Sequence, residues 1–235
     1  MSFSLQLARQ MISAKIANSR RTLQRLSADR HMSLAGDNEW LRLVQLGGEI
    51  SSVLALDTAR GIEGCAANAY FKLLARFFPE DAPFEGRSRR PPRNPANALI
   101  SFTYSLLAGV FTSAIRAHGL DVAGGFFHRG VDRSPALALD LMEPFRPAWA
   151  DRFVLNLLNH RRVRCRDHFE GSPDTGFYLT DEGRRIVFIA FDEMMERRVE
   201  TGPGKISLRQ IVDKEVCKFI GMIEGDEVMT FYRAA

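Results

Sequence analysis

The amino-acid sequence predicts a mainly α protein, and three observations carry that reading. Apolar residues recur at a spacing near 3.6 in almost every segment, alternation of period two is nearly absent, and helix-start signals stand at several segment edges. The first helix is expected over residues 5–26, where Leu5, Leu7, Ala8, Met11, Ile12 and Ile16 share the apolar pattern. Arg9 and Lys15 interrupt any continuous apolar run there, so the segment is not a secretory signal. Further helices are expected over 39–45, 58–78 and 96–118. Residues 95–115 carry no charge and are long enough to cross a bilayer, yet Asn97, Ser101, Thr103, Tyr104, Ser105, Thr112 and Ser113 are scattered around every face. That pattern reads as a buried core helix, with no membrane as partner.

Ser134 followed by Pro135 predicts an N-cap and a first-turn proline for a helix over 135–143, which Pro144 then ends. A helix over 148–159 follows, then a short hairpin pairing 165–169 with 176–179, then helices over 181–199 and 208–222. Ser207 with Gln210 three residues on predicts a capping box at the start of the last one. Breaks fall at 79–95, 119–133 and 171–176, and the last of them divides a helical core (1–170) from a smaller C-terminal helical subdomain (171–235) of the same unit.

With 235 residues, 46% of them hydrophobic, the chain is long enough to bury a core without disulfides. Its three cysteines, Cys65, Cys165 and Cys217, are odd in number and widely spaced, which places it in a reducing, cytoplasmic compartment. The formal net charge of +4 says little, but its distribution says more. Arg87, Arg89, Arg90 and Arg93 crowd a proline-rich segment, and Arg161, Arg162, Arg164 and Arg166 form a second cluster. Such clusters suit a polyanion or simply solvate a loop, and charge alone does not decide between them. Two tempting motifs fail on their own terms. The GPGK string at 202–205 is followed by Ile206 where a nucleotide-binding loop needs a hydroxyl, and His118, His160 and His168 lack zinc-like spacing.

Three segments place acids and a histidine where apolar residues are the cheap choice. Glu63 lies in a helix whose small residues Gly64, Ala66 and Ala67 predict close packing. His128 follows two phenylalanines in a glycine-flanked loop, where a structural histidine is the commoner outcome. Asp140 and Glu143, three residues apart, share one helix face, so their like charges repel unless a cation or a proton sits between them. Carboxylates with one imidazole suit Mg²⁺ or Mn²⁺ better than zinc.

Together these segments resemble the CRISPR-associated endonuclease family, the universal metal-dependent integrase subunit of the spacer-acquisition complex. The resemblance rests on GIEG at 61–64, AANAYF at 66–71, RSRRPPRNPANAL at 87–99, GFFH at 125–128 and LDLMEPFRP at 139–147, in the family's order and spacing. It is strong over 54–149 and extends more weakly to 7–26 and 178–232. It implies that Glu63, His128 and Glu143 coordinate Mg²⁺ or Mn²⁺, with Asp140 beside them as a ligand or supporting acid. The implied reaction is attack of a DNA 3′-hydroxyl on a phosphodiester, and the reverse cleavage. Arg87, Arg89, Arg90, Arg93, Asn97, Arg129 and Arg146 become candidate DNA contacts, Tyr104 a possible neighbour of the DNA path, and Tyr70 a core or site tyrosine. The implied partners are DNA, bound with little regard to sequence, and the family's small partner protein.

Members of that family typically begin with a β-rich dimerisation domain, and the full-length proteins are expected to be homodimers. No such region precedes Leu5 here, so the expectation is the multi-helical catalytic domain with the N-terminal β domain absent. Two other readings stay open: a catalytically idle helical module that binds or scaffolds DNA, and a related transposon-type integrase.

Overall fold

The structure, a computed structural model, describes residues 2–128, 134–201, 204–225 and 228–234. Helix α1 (Phe3–Asp29) starts where the Ser2 hydroxyl accepts the Leu5 N–H. Its apolar face, with Ala8, Met11, Ile12 and Leu23 fully buried, packs on α2 (Asn38–Glu49) and α3 (Leu56–Leu74). Asp37 caps α2 by accepting two backbone N–H groups, which matches a carboxylate to the positive end of the helix dipole.

Helix α4 (Pro95–Ala117) runs through the middle of the molecule, with Asn94 as its N-cap and Pro95 in its first turn. It packs on α5 (Ala136–Met142), on α6 (Arg152–Asn159) and on α9 (Leu208–Glu224), and Leu99, Ile100, Leu107, Phe111 and Ile115 along it are fully buried. Between α5 and α6 the chain forms a π-helical turn, Arg146–Asp151. Pro144 and Pro147 remove two amide donors from this stretch, so an ordinary i to i−4 ladder is interrupted and the turn widens. The expected helix over 148–159 therefore begins as a π turn.

The remaining elements are short or peripheral. Helix α7 (Cys165–His168) is a single turn that leads into β1 (Phe169–Ser172), which pairs antiparallel with β2 (Gly176–Leu179). The expected hairpin exists, but 165–168 is helical and the first strand starts later. Helix α8 (Asp181–Glu196) ends three residues earlier than expected, because 198–199 begin a second hairpin, β3 (Arg198–Thr201) with β4 (Gly204–Ser207). Ser207 and Gln210 close the capping box of α9 as predicted. Ser134 does not cap α5: the residue flanking that helix is Pro135, which makes no side-chain cap bond.

The buried polar face of α1 prepares the functional site. Beyond Ile12 the face turns hydrophilic, with Lys15, Asn18, Ser19 and Thr22. The buried Asn18 amide donates to the Pro144 and Tyr232 carbonyls and accepts the Ala234 N–H, while Thr22 donates to the Pro147 carbonyl. Satisfying these buried groups fixes α1 against both the π turn and the C-terminal segment.

Candidate metal centre

Four elements meet at one cluster of charges. Helix α3 supplies Glu63, α1 supplies Lys15, the loop before α5 supplies His128, and the C-terminal end of α5 supplies Glu143. Glu143 is 2% exposed, and its Oε2 lies 2.6 Å from the Lys15 ammonium, as an ion pair without aligned hydrogen-bond geometry. The same ammonium bonds a Glu63 carboxylate oxygen at very short range. The other Glu143 oxygen, Oε1, faces Arg146 Nη1 at 3.0 Å and His128 Nε2 at 3.6 Å. Burial alone would raise the Glu143 pKa, but the Arg146 and Lys15 cations hold it well below the usual carboxylate range. Burial likewise disfavours the Lys15 ammonium, and the Glu143 and Glu63 carboxylates outweigh it, leaving that pKa raised.

Asp140 is fully buried and works on the loop. Its Oδ2 accepts the backbone N–H groups of Phe126 (2.7 Å) and Phe127 (2.9 Å). Its Oδ1 accepts the His128 N–H (2.9 Å) and faces the ring Nδ1 at 2.6 Å. A carboxylate only accepts, so Nδ1 carries the proton, and in the neutral ring Nε2 keeps its lone pair on the side of Glu143. Asp140 is thus fully occupied as a support for His128. Gly125 permits the close approach: a Cβ there would sit 2.6 Å from the Ala136 Cβ and 3.0 Å from Asp140 Oδ2.

The donor set fits a hard divalent ion. Glu63 and Glu143 both reach the Lys15 ammonium and His128 Nε2 faces the other Glu143 oxygen, but the three ligand atoms do not all fall within 4.8 Å of one another, so a divalent ion must displace Lys15 and draw them in. Lys15 stands between the acids. Sequence reasoning treated it only as a break in an apolar run, although a lysine on the buried stripe of α1 was the available signal.

Beside the charges lies a pocket of about 30 Å³, lined among others by Ile12, Ala66, Tyr70, Tyr104, Arg146 and Asp151. Asp151, 1% exposed, accepts from both tyrosine hydroxyls, Tyr70 at 2.9 Å and Tyr104 at 2.7 Å. Its pKa is raised to about 6 because burial outweighs these bonds and the nearby Arg87 and Arg146. The Arg146 guanidinium lies 4.7 Å from the Tyr104 ring centroid. The expectation of close packing around Glu63 needs correction: Ala66 is buried, but Gly61 and Gly64 are exposed and face open space.

The arginine segment divides by role. Arg87 turns inward, donating to the Asn97 side chain and to the Ser101 hydroxyl, both at 2.9 Å. Asn97 is 1% exposed and also receives the Ser88 N–H and donates to the Gly86 carbonyl, so it shapes the loop from beneath. Arg89, Arg90 and Arg93 are exposed. The segment leans on the first hairpin, where the Phe177 N–H donates to the Pro92 carbonyl, and Arg89 lines both the pocket beside Glu63 and an adjacent groove. In the second cluster, Arg162 and Arg164 pair with Glu193 and Asp167. Arg129 lies outside the described residues.

Comparison with known proteins gives the same family from sequence and from structure. The chain is 37% identical over 202 residues to a CRISPR-associated endonuclease Cas1 of Chlorobaculum tepidum, covering 83% of this chain and 58% of that protein. It is 42% identical over 173 residues to one from Thermus thermophilus, covering 73% and 49% respectively. The chain thus spans somewhat more than half the length of the first of these relatives and about half of the second. A solved Cas1 structure from Thermotoga maritima superposes with a TM-score of 0.81 at 27% identity, covering 98% of this chain and 68% of that one. A casposase bound to its integration product superposes with a TM-score of 0.86 at 23% identity, covering 97% and 63%, and so shares the fold. The family model described as CRISPR associated protein Cas1 matches residues 1–193, and the chain belongs to that family.

Proposed function

We propose that this chain is the catalytic helical part of a metal-dependent DNA endonuclease and integrase that inserts DNA fragments as new spacers into a CRISPR array. The observation that supports the reading is that Glu63 and Glu143, far apart in sequence, share one cation while His128 faces the other oxygen of Glu143, beside a small pocket. Those three side chains hold Mg²⁺ or Mn²⁺, and Asp140 fixes the His128 tautomer that leaves Nε2 free to ligate. When bound, the metal polarises the scissile phosphoryl group and offsets the charge that develops on it. Arg146 neutralises part of Glu143, and the exposed Gly61 and Gly64 leave room for a bulky polymer beside Glu63.

Arg89, Arg90 and Arg93 meet the DNA phosphates, with Arg87 and Asn97 holding their loop in shape. Such contacts give affinity without reading sequence. The names of structural relatives support the assignment of partners. One is a casposase on an integration product and another a Cas6-RT-Cas1–Cas2 complex, so DNA and a small Cas2-type protein are the partners proposed here.

Strand cleavage and joining on branched DNA, with Mg²⁺ or Mn²⁺ supplied, test the reading. Wild type is expected to be active, and Glu63→Ala inactive with unchanged circular dichroism. Equal activity in both would overturn the enzyme assignment in favour of a DNA-binding scaffold.

A further inference from the structure

We propose that His118, Asp213 and Cys217 form a second metal site, for a thiophilic divalent ion of the zinc class. His118 caps the C-terminal end of α4, while Asp213 and Cys217 lie one turn apart on α9, which packs against α4. His118 Nε2 lies 2.7 Å from Asp213 Oδ1 and 3.7 Å from Cys217 Sγ, and the three ligand atoms all fall within 4.8 Å of one another. Zinc bonds of about 2.0–2.3 Å to N, O and S give tetrahedral edges of roughly 3.3–3.8 Å, so only small side-chain shifts separate this cluster from a coordination shell. Among the described residues no other three acids, histidines or cysteines come this close.

The direction of the contacts selects a metal over a catalytic triad. In a Cys–His–acid triad the thiol and the carboxylate engage opposite ring nitrogens. Here both face Nε2, which is the arrangement of ligands sharing one ion. The thiol sets the metal class, since sulfur favours zinc, cobalt or cadmium over the magnesium and manganese proposed at Glu63.

Three protein ligands leave a fourth position for water, and His118 is 29% exposed, so an ion can enter from solvent. Binding forms the sulfur–metal bond and releases the thiol proton to water. The site is separate from the catalytic pocket. Tyr104, which lines that pocket, stands 14 positions before His118 on the same helix, roughly 20 Å at 1.5 Å per residue. Occupancy would clamp α9 to the end of α4.

Cobalt titration of the full chain in excess Mg²⁺ is the test, because a thiolate-to-cobalt charge-transfer band in the near ultraviolet reports sulfur ligation and the Glu63 site contains no sulfur. One equivalent of Co²⁺ is expected to saturate the band, and Zn²⁺ to displace it. Cys217→Ser and His118→Ala should each abolish it, while Cys65→Ser/Cys165→Ser retains it and Mg²⁺-dependent strand joining is unchanged in all three. Absence of the band from wild type, its survival in Cys217→Ser, or its loss in Cys65→Ser/Cys165→Ser would overturn the site.

Discussion

Asp140→Asn tests the metal centre without removing any proposed ligand. The Asp140 carboxylate serves four donors, two on each oxygen. An asparagine of the same shape has one acceptor oxygen, so two of those donors must face an amide NH₂. Leaving two buried N–H groups unpaired costs about 1–3 kcal/mol each, or about 2–6 kcal/mol in total, against a typical domain stability of 5–15 kcal/mol. The protein can lower that cost by moving the His128 proton from Nδ1 to Nε2, so that Nδ1 accepts from the new amide. That relief destroys the ligand, because a protonated Nε2 has no lone pair for a metal.

Both routes have a measurable sign. Urea denaturation should show a loss of at least about 1 kcal/mol, the cost of the one N–H left unpaired after the tautomer shift, or hydrogen exchange should show faster amides at Phe126, Phe127 and His128 if the loop opens locally. Mn²⁺ affinity should fall about 10- to 100-fold, the usual effect of removing a partner that orients a ligand. A variant within about 0.5 kcal/mol of wild type, with unchanged loop exchange and unchanged Mn²⁺ affinity, would refute the role assigned to Asp140.

Three further changes probe the same region. Lys15→Met removes a cation that stands between Glu63 and Glu143, so Mn²⁺ should bind at least about tenfold tighter, a gain of about 1.4 kcal/mol, and the Mn²⁺-induced rise in melting temperature should grow; an unchanged rise would show that Lys15 does not compete with the ion. Asp151 has its pKa raised to about 6 from 3.8, so its ionised form costs stability that appears as pH rises through that window and amounts to about 3 kcal/mol above it. Asp151→Asn should therefore be more stable than wild type at pH 8 and lose that advantage near pH 4, whereas a pH-independent difference in urea denaturation would count against a strained carboxylate. Replacing Arg89, Arg90 and Arg93 by alanine should weaken duplex binding equally across sequences and flatten the log–log salt dependence by up to about 3 units, at roughly 0.9 per phosphate contact; a slope that does not move takes this loop out of the interface.

The helical architecture was legible because burying one side of a helix imposes a 3.6-residue period, and α1, α3, α4, α8 and α9 each keep that period for at least four turns. What the period cannot show is a local change of hydrogen-bond ladder. The π turn follows from two prolines acting on an apolar stretch that still reads as helix, and the second hairpin hides at the end of a helical pattern where Val199 continues the apolar face. At the site, Asp140 and Glu143 were visible as a pair, yet their different work was not. Asp140 turns to the loop amides and Glu143 to the cations, a division set by which neighbour each carboxylate meets across the fold. Asn97 shows the opposite case: the family resemblance suggested a DNA contact, and packing buries it beneath the loop, bonded to Arg87, Ser88 and Gly86.

The chain devotes an unusual amount of buried polarity to one place. Burying a charge is costly unless it is paired and hydrogen-bonded, and even a well-paired buried ion cluster is rarely more stable than an apolar one of the same shape. Lys15, Glu63, Glu143, Arg146, His128 and Asp140 form such a cluster, with Asp151, Tyr70 and Tyr104 as a second buried polar group beside the same pocket. Folding alone does not call for a carboxylate at Asp151, whose charge burial opposes, nor for the ion cluster around Lys15, whose charge is favoured only because its buried partners are charged too. Stability therefore does not explain these residues, and the requirement that does is chemical. Acids fixed by rigid helices, with a cation already between them, are oriented before any divalent ion arrives, so binding has only to displace Lys15 and draw the ligand atoms in, and little rearrangement is left for the developing phosphoryl charge to impose.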